Sequence, residues 1–337
     1  MNADTPSILI QGIGAMGGVT AARLLQAGYA PTLIAGSRDR ANEIRNAGLT
    51  LREGKQLRSF PANVYAHVAD VPEALQFDLV LLITKANDVS NAAREALPRA
   101  HDATIFVPMQ NGIVTERVAE IVGTARVIPS LLNWAATMHA PGDYEQTVSH
   151  SMVIGESDGV FTARLRALAA ILGHVVPIKM SDNILGAQWA KLQMNCSVTV
   201  LGALCGLPHE EWIRSDVGRD VFVRVCREVL AVAAAAGVRL EKLAVDPMMP
   251  LVGRAEEIDR WLEAVLDVYG KSRPSILVDL DRGKRTEVDF ITGYVAEQGK
   301  LLGVPTPLCV EATKMVHEVE AGTRGLTLVN LKALAAV

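Results

Sequence analysis

The chain has 337 residues, 50% of them hydrophobic, with 33 Lys and Arg against 37 Asp and Glu. That is enough apolar material for a large buried core, and the length favours two domains over one. A net charge of -4, 4% aromatics and no Lys/Arg cluster interleaved with aromatics argue against a nucleic-acid partner.

The opening stretch, MNADTPSILI, carries Asp4 where a secretory signal would carry basic residues, and its apolar run ends at glycines, so no signal peptide is expected. The most apolar later stretch, 229–238, is flanked by Arg227, Glu228, Arg239 and Glu241 and is shorter than the roughly 20 residues that span a bilayer. Cys196, Cys205, Cys226 and Cys309 show no C-x-x-C spacing, and the seven histidines form neither an H-x-x-x-H pattern nor a Cys/His cluster. A reduced, soluble, cytoplasmic protein without a membrane segment or a metal site is expected.

Up to about residue 180, short β-branched runs alternate with helical stretches. Residues 7–11, 32–36, 78–84, 104–107 and 126–131 read as strands, and the alternation implies a parallel sheet with crossover helices. Residues 149–155 and 174–178 are strand-like with less helix between them and are expected to extend the same sheet. Between the first strand and the first helix lies Gly12-Ile13-Gly14-Ala15-Met16-Gly17, a G-x-G-x-x-G stretch in its proper setting. There the backbone amides and the positive end of the helix suit a dinucleotide pyrophosphate.

A site for NAD usually carries Asp or Glu at the end of the second strand, where this chain has Ala35-Gly36-Ser37-Arg38. Arg38 suits a 2′-phosphate, with Ser37 as a further donor, which points to NADP(H); otherwise Arg38 is a solvated loop residue. Lys85 and Asn111 follow later strands at the sheet edge where ligands collect, unless they are a solvated lysine and an Asn-Gly turn.

From residue 183 the pattern turns helical, with runs at 184–204, 217–236, 255–269, 287–302 and 308–321. The predicted division is therefore 1–181, a dinucleotide-binding domain of α/β class, and 182–337, a mostly α-helical domain. Lys191 lies mid-helix among apolar residues with Asn195 four residues on, hence on the same face. A lone lysine there more commonly reaches out to solvent.

The chain resembles the ketopantoate reductase (2-dehydropantoate 2-reductase) family in several motifs. These are LLITKANDV, VPMQNGI, WAKLQMNC with its K-x-x-x-N helix, and PSILVDLDRGKRTEVDFITGYV, in an order and spacing that cover nearly the whole chain. The resemblance implies a Rossmann domain and a helical domain with a cleft between them. It also implies Lys191 as the catalytic acid, Glu287 as its partner near the substrate hydroxyl, Asn195 and Ser275 on the substrate, and Asn111 on the nicotinamide of the cofactor or on the substrate. Lys85 would face cofactor phosphate or ribose, and Asp279 is read as structural. Read physically, RTEVD is equally a helix start with Thr286 as N-cap and Glu287 and Asp289 favouring the helix dipole.

Two polar positions depart from the family pattern. Thr199 stands where a second asparagine is usual, and so does Ser272, three residues before Ser275. Thr199 is nonetheless retained as a candidate substrate contact. The region around 240–270 is also longer than in compact members. The expected activity is NADPH-dependent reduction of 2-dehydropantoate to pantoate, a step toward pantothenate and coenzyme A. The alternatives are a paralogous reductase of another branched or hydroxylated 2-oxo acid, or a non-catalytic NADP(H) sensor. A homodimer is expected only in so far as helical second domains with apolar faces often pair.

Overall fold

In the computed structural model, which describes residues 5–271 and 273–337, the chain divides into two compact units, Met1–Ile184 and Leu185–Val337. Asp4 and Ser272, both weighed above, lie outside the described residues. Among its described residues the first unit holds twelve strands: β1 Ile8–Gln11, β2 Thr32–Ile34, β3 Leu49–Glu53, β4 Gln56–Phe60, β5 Asn63–Tyr65, β6 Phe77–Leu82, β7 Ala100–Pro108, β8 Ser130–Leu132, β9 Ala135–Ala140, β10 Asp143–Val148, β11 Met152–Ile154 and β12 Ile178–Met180.

A five-stranded sheet in the order β5-β2-β1-β6-β7 is parallel throughout. Its central strands β1 and β2 are buried along their whole length, as strands covered on both faces must be, which explains their unbroken apolar runs. The order changes direction between β1 and β6, the switch point of doubly wound sheets. Helix α1, Ala15–Gln26, follows β1 directly, and α2, Arg38–Ala47, follows β2. The short strand β5 completes this sheet and has no counterpart among the predicted strands.

The expectation that 149–155 and 174–178 extend the main sheet does not hold. Strand β11 pairs instead with β8 on one side and β12 on the other, in a separate three-stranded sheet, β12-β11-β8. The stretch 126–131 meets the main sheet through an isolated bridge between Phe106 and Val127 and a backbone bond from Ile128 to Phe106, not as a paired strand. Pro129, which has no N–H to offer a ladder, comes next and ends the pairing. A third sheet, β4-β3-β10-β9, packs on α1 and was not anticipated.

The second unit is built on the helix Asp216–Ala235, which Ser215 caps by accepting from Gly218 N at 3.1 Å. Trp212, Phe222 and Trp261 stack along it. The longer 240–270 region forms Met249–Val252 and Ala255–Tyr269, and Met249–Val252 packs against this central helix. The single helix expected over 184–204 is broken into Ile184–Met194, a π-helical stretch Asn195–Val200 and Leu201–Cys205. Within the π stretch Ser197 Oγ donates to the Gln193 carbonyl at 2.8 Å and competes with the backbone for it, a bond that favours such an irregularity. Among the described residues no helix is long and apolar enough to cross a membrane, and no group of His, Cys, Asp and Glu could hold a metal ion.

Candidate active site

Geometry demands two of the three motif glycines. A Cβ on Gly12, where φ is +96°, would lie 2.7 Å from Thr84 N, and one on Gly17 would lie 1.9 Å from the Gly12 carbonyl oxygen. Gly14 differs, since a Cβ there meets no protein atom within 4 Å, so packing within the protein does not require glycine at this position. Gly14 is the N-cap of α1, and the first turn of that helix, beginning Ala15-Met16-Gly17, holds no acidic residue. The turn thus fits a pyrophosphate, offering amides and the positive helix end beneath an approach that side chains leave clear.

Ser37 and Arg38 open α2. Ser37 Oγ accepts from Arg40 N at 3.4 Å as the helix cap, while Arg38 is exposed in the first turn. No carboxylate stands between Ile34 and Arg38. Lys85 is exposed just beyond β6, at the start of the turn Ala86–Asp88. Asn111 is half-buried beyond β7, before Gly112 with φ +82°. Lys85 lies past the carboxyl end of β6, which pairs with β1, and Asn111 past that of β7, next in the sheet; all these strands are parallel, so both residues share the carboxyl edge of the sheet with the glycine turn.

In the second unit the predicted face is sharply defined. Over residues 186–205 every residue is fully buried except Lys191, Asn195 and Thr199, which are half-buried. The π stretch begins at Asn195, and π turns inserted in α-helices are frequent at functional sites. Burial drives the Lys191 ammonium down from its ordinary value of 10.5 to about 8, and the Glu287 carboxylate opposes that fall. Trp189 stacks on Tyr294 at 5.8 Å, tying the lysine helix to Thr292–Leu302, just beyond Glu287.

Glu287 is 8% exposed and Thr286 fully buried. The expected helix over 287–302 begins only at Thr292. Glu287 precedes a 3₁₀ turn, Val288–Phe290, in which Thr286 Oγ1 accepts from Val288 N at 3.3 Å. The segment is also held from outside: Thr286 N donates to Glu320 at 2.7 Å, and His317 bridges Glu320 at 2.9 Å and Asp289 at 2.8 Å. Nothing local in the sequence points to His317 or Glu320, which lie about one helix further along the chain. Ser275 is the exposed first residue of Ser275–Asp281, which packs against the 195–205 stretch, and Asp279 is buried. Lys191, Asn195, Thr199, Glu287 and Ser275 therefore belong to one helical unit, and the glycine turn, Ser37, Arg38, Lys85 and Asn111 to the other.

Comparison with known proteins agrees with this division. The family described as "Ketopantoate reductase PanE/ApbA" matches residues 8–159, and its C-terminal counterpart matches 183–320. Similar curated proteins include the 2-dehydropantoate 2-reductases of Mesorhizobium japonicum, 27% identical, and Pyrococcus horikoshii, 28% identical, each over 89% of this chain and 93% of its own. A PanE/ApbA family ketopantoate reductase of Ralstonia eutropha superposes with a TM-score of 0.80 at 27% identity, covering 94% of this chain and 99% of its own. A D-mandelate dehydrogenase solved with NADH and anilino(oxo)acetate reaches 0.81 at 23% identity over 94% and 99%, a likeness of fold. The chain belongs to the ketopantoate reductase family.

Proposed function

We propose that this member of the ketopantoate reductase family reduces 2-dehydropantoate to pantoate with NADPH. The observation that carries the reading is the face on which Lys191, Asn195 and Thr199 alone are half-buried among fully buried neighbours, with Lys191 held near 8. An acid that titrates near neutral pH is charged when it meets substrate and gives up its proton readily, which is what a general acid requires.

NADPH, when bound, supplies the hydride that adds to the carbonyl carbon. The chain supplies the rest. As negative charge builds on the carbonyl oxygen, the Lys191 ammonium stabilises it and passes it a proton from Nζ. Glu287 keeps that ammonium charged in its buried setting and accepts from the substrate hydroxyl. Asn195 orients the substrate through its amide, Ser275 donates to its carboxylate, and Asn111 serves the nicotinamide or the substrate. The glycine turn holds the pyrophosphate, Lys85 the phosphate or ribose, and Arg38 with Ser37 the 2′-phosphate.

A second reading, reduction of another 2-oxo acid, is favoured by one observation: Thr199 supplies a hydroxyl on the half-buried face where the family has a longer amide. A non-catalytic NADP(H) sensor has no use for a lysine tuned in this way. Four buried, unpaired cysteines suit a reducing cytoplasm, and the dimeric ketopantoate reductase of Staphylococcus aureus, alike in fold, is a precedent for a homodimer. NADPH oxidation by the purified protein across a panel of 2-oxo acids tests the proposal. Turnover highest with 2-dehydropantoate supports it, turnover highest with another acid moves the function to the second reading, and none with any acid overturns both.

A further inference from the structure

The Ile13 carbonyl, in the middle of the glycine turn, accepts hydrogen bonds from two side chains remote from it in sequence. Tyr144 donates its hydroxyl at 3.1 Å and Arg40 donates Nη2 at 2.5 Å. Tyr144 comes from β10, in the sheet that packs on α1, and it is fully buried. Its ring lies flat enough on α1 that a Cβ at Gly18 would come within 2.3 Å of ring carbons. Its hydroxyl also accepts from Gly142 N at 3.4 Å, which orients the O–H toward Ile13. Arg40 sits in the first turn of α2, two residues after Arg38, and the same Nη2 lies 2.9 Å from Met138 Sδ of β9.

A peptide group is planar, and in a trans peptide the N–H points opposite to the carbonyl. The described backbone has no cis bonds. Fixing the Ile13 carbonyl therefore fixes the direction of the Gly14 N–H, the amide that precedes α1 at the position where no protein atom would meet a Cβ. We propose that Tyr144 and Arg40 are positioning residues for the cofactor, locking the Ile13–Gly14 peptide so that the Gly14 N–H is preset toward the dinucleotide pyrophosphate. The inference rests on the reading of the glycine turn as the dinucleotide site. Burial pushes the Tyr144 hydroxyl upward from its ordinary range, so it remains a neutral donor across the working pH of an enzyme. The pair also gives the β4-β3-β10-β9 sheet a role, since it delivers the tyrosine to the turn.

The pyrophosphate is common to NADPH and NADH, so the signature of this role is loss of affinity for both. Tyr144→Phe retains the ring against Gly18 and removes only the hydroxyl. Titration of the purified full chain, followed by nucleotide fluorescence, is expected to show NADPH and NADH each bound about three- to tenfold more weakly, the scale of one lost hydrogen bond. Turnover at saturating NADPH and the melting temperature should stay close to those of the unaltered protein. Arg40→Met, which keeps an apolar stem beside Met138, is expected to weaken both nucleotides alike. Equal affinity in Tyr144→Phe and the parent overturns the proposal, and so does an Arg40→Met that loses NADPH alone, which would make Arg40 a reader of the 2′-phosphate. If Arg40→Met does not fold, the near-isosteric tyrosine variant decides by itself. A parent protein that binds neither nucleotide overturns the reading of the turn and the positioning role together, an outcome distinct from a parent that binds and variants that bind equally.

Discussion

The Glu287 carboxylate holds the Lys191 ammonium against its own burial: desolvation drives the lysine down to about 8, and the glutamate's charge resists a further drop. Two opposed effects of the same fold thus leave an acid poised within a unit or so of neutral pH.

This balance makes the pH profile diagnostic. With Lys191 as the proposed acid, kcat/KM for 2-dehydropantoate should fall as pH rises through about 8, and the reverse oxidation of pantoate should rise through the same value. Because Glu287 raises the lysine, Glu287→Gln should move the alkaline limb to lower pH. An unmoved limb in that variant would show that another group titrates there.

Lys191→Ala should lower turnover by about 100-fold or more, the scale of removing a positioned acid, with NADPH affinity nearly intact because the residues proposed for the nucleotide lie in the other unit. Single-turnover kinetics at saturating NADPH measures it. Near-normal turnover would remove Lys191 from the chemistry.

Arg38→Ala should weaken NADPH about 10- to 150-fold, the worth of a charge-assisted pair at roughly 1.5–3 kcal/mol, and leave NADH almost unchanged. The exposed place of Arg38 in the first turn of α2, with no carboxylate just before it, motivates this. Equal losses for the two nucleotides would mean that it reads something else.

Thr199→Asn should raise the preference for 2-dehydropantoate over 2-oxoisovalerate, which lacks the hydroxymethyl group. Thr199 lies half-buried on the face with Lys191 and Asn195, and an amide there both donates and accepts with more reach than a hydroxyl. The ratio of catalytic efficiencies for the two acids tests it, and an unchanged ratio would show that residue 199 does not read the hydroxyl.

His317 should lend stability only on the acid side. Burial works to lower its pKa, but hydrogen bonds to Glu320 and Asp289 outweigh that and raise it; Arg285 in turn pairs with Asp289 at 3.0 Å. A raised histidine contributes fully below its unfolded value of about 6.5, and the contribution is lost as pH rises through the folded value. The melting-temperature gap between the parent and His317→Asn should therefore be wider at about pH 5.5 than at about pH 8.5. The side chain is 40% exposed, so the gap should be small, and one that widens with pH contradicts the reading.

Local pattern was enough for the glycine turn, whose strand, glycines and helix adjoin one another in the chain, and for the i, i+4, i+8 placing of Lys191, Asn195 and Thr199. Periodicity records which residues share a face, because backbone geometry repeats with the sequence. It does not record what covers that face. Packing alone decided that these three are half-buried while their neighbours are fully buried, and that the charge of Glu287 acts on Lys191. Packing also placed Tyr144 on the carbonyl of Ile13, 131 residues away, and His317 behind Thr286 and Asp289. The separation of β11 and β12 from the main sheet likewise followed from strand pairing. Contacts of this kind join residues whose neighbours in the chain carry no trace of the partner, so they exist only once the chain has folded.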